Sequence, residues 1–224
     1  MPGALPEGEV RKFIDKHVPS AEEVAADEGV QEAGELLAEG DTDRALERLQ
    51  EAVAINPGND SARYDYLRAL LASGRPEDAR RVYEPVAGKV MLDQRLVAAG
   101  HWLAAAEKAP TARAPEALAA AIASNKRDFN ARFESAQRHF AAQRFTEAMD
   151  DLLEIIIRDK AWNDELARKT YVAILELMSK PAAAKPDAAA PAPSGTLEVA
   201  GKVKAASADP LVDQYRRKLS MALF

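Results

Sequence analysis

The chain of 224 residues contains no cysteine. This absence excludes disulfide bonds, thiol catalysis and cysteine-ligated zinc. No apolar run approaches the roughly 20 residues that a membrane-spanning helix requires. Residues 1–5 do not combine a basic segment with a following apolar core, so the sequence predicts no signal peptide. We therefore expect no membrane partner and a cytoplasmic location.

The motifs of catalysis and of cofactor binding are also missing. His17, His101 and His139 lie far apart, and none belongs to a pair of ligands spaced one helical turn apart. The sequence has no phosphate-binding glycine loop, nucleophile elbow or dinucleotide fingerprint. Acidic pairs such as Asp150-Asp151 are more typical of solvated helix faces than of acid–base dyads. The sequence predicts a protein that is not an enzyme and that uses no cofactor or metal.

The net charge and the hydrophobic composition further restrict the class of protein that the sequence can encode. The formal net charge is −6, whereas a nucleic-acid partner requires a basic face, so we predict no nucleic-acid binding. Hydrophobic residues make up 47% of the chain and charged residues 29%, which is typical of a folded globular protein. Much of the hydrophobic fraction is alanine, a small residue with no helix penalty. The composition therefore favours closely packed helices, an all-α fold.

An internal repeat runs through the first half of the chain. The recurring positions are Leu36, Gly40, Ala45, Leu49 and Ala52, followed 34 residues later by Leu70, Gly74, Ala79, Tyr83 and Val86. A period of about 34 residues is the length of a tetratricopeptide repeat, which is a pair of antiparallel helices. In each copy a glycine ends the first helix, and an alanine lets the second helix cross close to it. The spacing predicts a right-handed tetratricopeptide-like solenoid.

Looser repeats and a final helix complete the predicted repeat domain, residues 20–179. The pattern predicts a helix over 92–109, a short helix after Pro115 and a helix pair on either side of a turn at 143–145. A last helix is predicted over 162–178, with Asn163 or Asp164 as its N-cap. The domain would thus hold about four helix pairs plus this helix.

The composition changes abruptly after residue 179. Residues 180–208 are rich in Ala, Pro, Lys and Ser, which predicts a semi-flexible linker. Asp209 and Pro210 form a good helix start. Residues 209–224 are predicted to form a tethered amphipathic helix. Its apolar stripe consists of Leu211, Val212, Tyr215, Leu219 and Leu223.

Both ends of the chain carry a family resemblance. Gly3-Ala4-Leu5 leads into a helix with a Phe13-Ile14 pair, which looks like the closing helix of a thioredoxin fold. A tetratricopeptide stack after such a helix, ending in residues 209–212 and 215–219, is similar to the thioredoxin-like co-chaperones called chaperedoxins. Residues 145–168 also resemble that family. The resemblance implies that residues 1–19 close a thioredoxin-like domain that this chain lacks. It also implies a holdase that binds unfolding clients and passes them to chaperonin and Hsp70.

Two sets of site residues follow. The resemblance implies that the C-terminal helix docks on the chaperonin through Leu211, Tyr215, Arg216, Leu219 and Leu223. Some tetratricopeptide domains bind a C-terminal carboxylate in the groove between their first helices. The equivalent positions in this chain are Val30, Gln31, Gly34, Tyr64, Asp65, Arg68, Phe133, Glu134 and Gln137. Only Arg68 among them is basic and none is Asn, so no carboxylate clamp is predicted. We expect a mixed aromatic and polar client surface instead, formed by Arg63, Tyr64, Arg132, Phe133 and Gln137.

Three alternatives remain open from the sequence. The aromatic residues of the predicted groove could equally pack between neighbouring repeats. The chain could be a general tetratricopeptide scaffold or adaptor whose terminal helix folds back as a cap. It could also be the non-catalytic part of a thiol-disulfide oxidoreductase, in which case a Cys-x-x-Cys pair would lie in an upstream domain.

Overall fold

A computed structural model describes residues 20–89, 93–179 and 209–224, together with Gly8 and Val18. All regular secondary structure in these residues is helical, which confirms the all-α prediction. The helices are α1 (Ala21–Glu39), α2 (Thr42–Ile55), α3 (Asp60–Ala72), α4 (Pro76–Tyr83), α5 (Gln94–Lys108), α6 (Pro115–Ser124), α7 (Phe129–Ala141), α8 (Phe145–Arg158), α9 (Trp162–Met178) and α10 (Pro210–Leu223). No helix in this part of the chain is both long and apolar enough to cross a membrane.

Two predicted segments fall outside that description. The predicted closing helix of a thioredoxin-like domain, residues 1–19, lies there apart from Gly8 and Val18. The predicted linker, residues 180–208, also lies outside the described residues. The described chain divides into two compact units. One contains α1–α5 (described residues up to 111, with 141–143), and the other contains α6–α10 (residues 112–140, 144–179 and 209–224).

The helix ends of the first unit follow from local sequence. Helix α1 begins with a capping box, because the Ser20 hydroxyl accepts from the Glu23 amide and the Glu23 carboxylate accepts from the Ser20 amide. Gly40 follows α1 with φ 86°, and Gly74 follows α3 with φ 74°. Both values lie in the left-handed region that glycine adopts at low cost. The predicted ends of these two helices are confirmed.

Small residues allow close packing in the first unit. Ala45 and Ala79, the predicted crossing positions, are both 0% exposed. Helix α5 crosses Tyr83 so closely that a Cβ atom on Gly100 would overlap the tyrosine ring and hydroxyl. Gly100 therefore sets the distance between α5 and the end of α4.

The second unit buries one face of α8 against neighbouring helices. Leu152 and Ile155 are 0% exposed, as are Phe140 on α7 and Tyr171 on α9. At the turn between α7 and α8, the Phe140 and Phe145 rings lie edge to face with centroids 6.0 Å apart. The unit thus has an apolar core built from α7, α8 and α9.

The start of α9 differs from the prediction. Neither Asn163 nor Asp164 caps the helix, since Ala161 precedes it and no side chain bonds to its first amides. Asn163, Asp164 and Glu165 instead have φ angles of 46°, 53° and 61°, in the left-handed region. Regular right-handed helix resumes after Glu165. The N-cap prediction is wrong because these polar residues form a kink inside the first turn.

Candidate protein-binding site

The first unit contains an open groove between α1 and α3, the first helices of its two repeats. Its volume is about 540 Å³, and its lining includes Val30, Gly34 and Leu37 from α1 together with Asp65 and Arg68 from α3. Leu37 is 42% exposed, a large fraction for a leucine beside a core. The groove therefore presents apolar side chains from one helix and charged ones from the next.

On the charged side of this groove, burial and neighbouring charges both act on the Asp65 carboxyl. Burial raises the pKa of the Asp65 carboxyl, although the positive charges of Arg68 and Arg95 oppose that shift. Arg95 lies over the Tyr64 ring, with its guanidinium carbon 5.4 Å from the ring centroid. Arg95 also pairs with Asp93, at 3.2 Å. Asp65 and Arg68 thus offer both an acceptor and donors to the polar backbone of a bound segment.

Two of the predicted groove residues have packing roles instead. Tyr64 is 4% exposed and Arg63 is 7% exposed. The Arg63 guanidinium donates to the carbonyl oxygens of Pro57 and Val82, so it joins the end of one repeat to the end of the next. On α3 the groove is lined by Asp65 and Arg68, which are three positions apart and share one side of the helix. The Tyr64 side chain points about 100° away from that of Asp65, because successive helical residues differ by that angle.

The other three predicted groove residues lie in the second unit. Gln137 is 9% exposed. The Arg132 side chain is 12% exposed and pairs with Asp151 at 3.5 Å. The Phe133 ring packs against Trp162, with centroids 5.2 Å apart and planes tilted by 52°. The alternative in which the aromatic residues pack between neighbouring repeats agrees with the contact of Phe133 and with the burial of Tyr64.

The predicted partner-binding helix, α10, is docked on α8 and α9. Val212 is 2% exposed and Tyr215 is 5% exposed. The Tyr171 hydroxyl donates to the Tyr215 carbonyl oxygen at 2.8 Å. The Tyr215 hydroxyl and the Lys218 ammonium both donate to the Asp150 carboxylate, at 3.2 and 3.1 Å. Burial raises the pKa of both phenols, so the protonated form that donates these bonds is favoured.

The five predicted partner residues of α10 differ in how far docking buries their side chains. Tyr215 is buried, and Leu219 and Leu223 are half-buried. Arg216 donates to the Ser179 hydroxyl at 2.9 Å, so it too contributes to the docked position. Leu211 stays 39% exposed.

Two further residues of the C-terminal segment are open to solvent. They are Met221, which is 74% exposed, and Phe224, which is fully exposed. The sequence pattern assigned neither to a binding role. The two residues are three positions apart, close to one helical turn, and this spacing is the sequence signal that they can lie side by side on one face.

Within the described ranges, no three His, Asp or Glu side chains are arranged as metal ligands.

Comparison with known proteins gives two family matches. A tetratricopeptide-repeat family model matches residues 36–100. A second tetratricopeptide-repeat model matches residues 108–186. No curated protein matches the chain.

Proposed function

Because the chain contains tetratricopeptide repeats, modules that typically bind other proteins, we propose that it is a non-catalytic scaffold for exposed segments of partly unfolded proteins. The finer role proposed is the client-binding module of a co-chaperone. The observation that carries the proposal is the groove between α1 and α3, in which the half-exposed Leu37 faces a charged rim. Apolar surface rimmed by polar residues is typical of grooves that bind proteins or ligands.

The groove chemistry suits an extended and apolar client segment. Apolar side chains of the client would contact Val30 and Leu37, and its backbone groups would bond to Asp65 and Arg68. The groove volume of about 540 Å³ is in the range of sites for small ligands, so it holds a few residues at a time. Contact with so few residues predicts weak and sequence-tolerant binding, as a holdase requires.

A light-scattering assay with a thermally unfolding client tests this proposal. Leu37→Glu places a charge in the groove, and we expect it to abolish most of the protection against aggregation. Ile55→Glu is the matched control, since Ile55 is 36% exposed in the same unit but does not line the groove. Protection that is equal in Leu37→Glu and the unmutated chain would refute client binding in this groove.

Transfer of clients to chaperonin and Hsp70 is the second part of the proposal. We propose that the exposed part of the C-terminal segment, with Leu211, Met221 and Phe224, contacts the chaperonin while α10 stays docked. These side chains are 39%, 74% and 104% exposed, so they need no rearrangement to be reached.

The adaptor alternative also has a specific observation in its favour. The bonds of Tyr171 to Tyr215 and of Tyr215 to Asp150 make α10 an integral part of the second unit. In that alternative α10 is only a cap, and the chain joins partner proteins without a chaperonin.

Chaperonin capture from a lysate separates the two functions. The unmutated chain should recover chaperonin, whereas a chain ending at Ser179 and the Leu211→Ser/Met221→Ser variant should not. The exposed Arg217→Ser variant, with an unchanged apolar surface, is the control. Recovery by none of the four chains would favour the adaptor. Equal recovery by all four would refute chaperonin contact through the C-terminal segment.

A further inference from the structure

A second groove, in the second unit, has a strongly basic lining. It lies between α6, α7 and α8 and has a volume of about 610 Å³. Five basic side chains and two carboxylates line it, a net charge of +3 with histidine neutral, whereas the whole chain carries −6. The basic residues are Lys126, Arg132, Arg138, Arg144 and Arg158. This concentration of positive charge on an acidic chain selects for a negatively charged ligand.

The carboxylates of the lining neutralise only part of its charge. Arg132 pairs with Asp151 at 3.5 Å, and Arg158 pairs with Glu154. Lys126 and Arg144 are both exposed, and neither forms an ion pair with another described residue. A hydrogen bond from the Thr146 hydroxyl lowers the pKa of Glu147, and the positive charge of Arg144 adds to that shift. Lys126 and Arg144 therefore keep ammonium and guanidinium groups available to a ligand.

The opposite wall of this groove is apolar. It is formed by α6 through Pro115, Leu118, Ala119, Ile122 and Ala123. No Phe, Tyr or Trp side chain is among the lining residues, although proteins that bind single-stranded nucleic acid commonly use such rings to stack the bases. A basic rim beside an aliphatic wall fits a peptide that carries both carboxylates and aliphatic side chains.

We propose that this groove binds an acidic segment of a partner protein. The carboxylates of that segment contact Lys126 and Arg144. Its aliphatic side chains pack on Ala119, Ile122 and Ala123, which are exposed or half-buried. The inference rests on the protein-binding function proposed above but places a different class of ligand at a different site. The Leu37→Glu variant should therefore lose client protection and still bind the acidic peptide.

Fluorescence anisotropy with a labelled synthetic peptide of alternating glutamate and leucine tests the proposal. We expect Lys126→Glu/Arg144→Glu to weaken binding by about tenfold or more, because both reversed charges repel the peptide. The matched control is Lys169→Glu/Arg217→Glu, which makes the same change in net charge at exposed positions of α9 and α10 outside the groove. The milder Lys126→Ala/Arg144→Ala variant should show the same direction of change if the reversed charges impair folding.

Four further outcomes of the titration bear on the proposal. Binding should weaken as NaCl is raised, since exposed charges are screened by salt. A peptide with lysine in place of glutamate should not bind. Equal affinities in the groove and control variants would overturn the proposal, and so would tighter binding of a single-stranded DNA oligonucleotide than of the acidic peptide.

Discussion

Truncation of Tyr215 should release α10 from the second unit. The side chain is 5% exposed, packs on α8 and α9, and donates to Asp150 from its hydroxyl at 3.2 Å. Removing a buried aromatic ring costs about 3–5 kcal/mol, which would lower the docking equilibrium by roughly two to four orders of magnitude. Tyr215→Phe keeps the ring and loses one hydrogen bond to a partly exposed carboxylate, about 1 kcal/mol or less.

Hydrogen exchange followed by mass spectrometry measures this release. In Tyr215→Ala, peptides from residues 210–224 should exchange far faster, whereas peptides from α7 should keep most of their protection because Phe140 is 0% exposed in the core of the unit. Arg217→Ala is the control, since Arg217 is exposed on the outer side of α10 and should change stability by less than about 0.5 kcal/mol. Unchanged exchange of α10 in Tyr215→Ala, or equal acceleration in Arg217→Ala, would refute the docked arrangement.

Three other predictions concern stability. Gly100→Ala should destabilise the first unit by about 1–3 kcal/mol in thermal or urea unfolding, because the new Cβ overlaps Tyr83. The same change in a Tyr83→Ala background should be neutral or stabilising, since alanine is the better helix former. Asp65→Asn should stabilise the chain at neutral pH and lose that advantage as the pH falls. Burial raises the pKa of Asp65 in the folded state, so its charged form costs stability above the pKa of the unfolded chain, and a pH-independent difference would contradict this sign. Glu165→Gly should raise the melting temperature by relieving a left-handed φ of 61°, whereas Lys169→Gly on the same helix should lower it.

The repeat pattern predicted the first unit well because its signals are local. Gly40 and Gly74 end helices through a backbone conformation that glycine favours, and Ala45 and Ala79 mark helix crossings by their size. Each of these effects acts within a few residues or within one helix pair. A spacing of 34 residues then repeats the same pair along the chain.

The groove was predicted less well because it depends on helix rotation. The sequence places Asp65 and Arg68 only among the positions of a carboxylate clamp that it does not predict, and both residues line the groove. The sequence pattern assigns Tyr64 to the client surface. Tyr64 directly precedes Asp65 on α3, and this difference of one position points its side chain into the core. Small differences in how a helix rotates against its neighbour decide such cases, and the sequence pattern does not determine that rotation.

The docking of α10 required information that no local pattern holds. The apolar stripe containing Val212 and Tyr215 predicted an amphipathic helix, and that helix forms. Its partner could be another protein or the same chain, since both bury the same face. The acceptor for Tyr215, Asp150, lies 65 positions earlier in the sequence, so only the folded arrangement of α8 and α9 identifies it.

Site-specific photo-crosslinking tests the central claim, that the groove between α1 and α3 holds exposed segments of other proteins. A photoreactive phenylalanine analogue would replace Leu37 in one chain and Ile55 in another, two apolar positions of similar exposure in the same unit. Irradiation during thermal unfolding of a client should give crosslinked product from position 37 and little from position 55. Equal yields from both positions, or a crosslink from position 55 alone, would contradict the account.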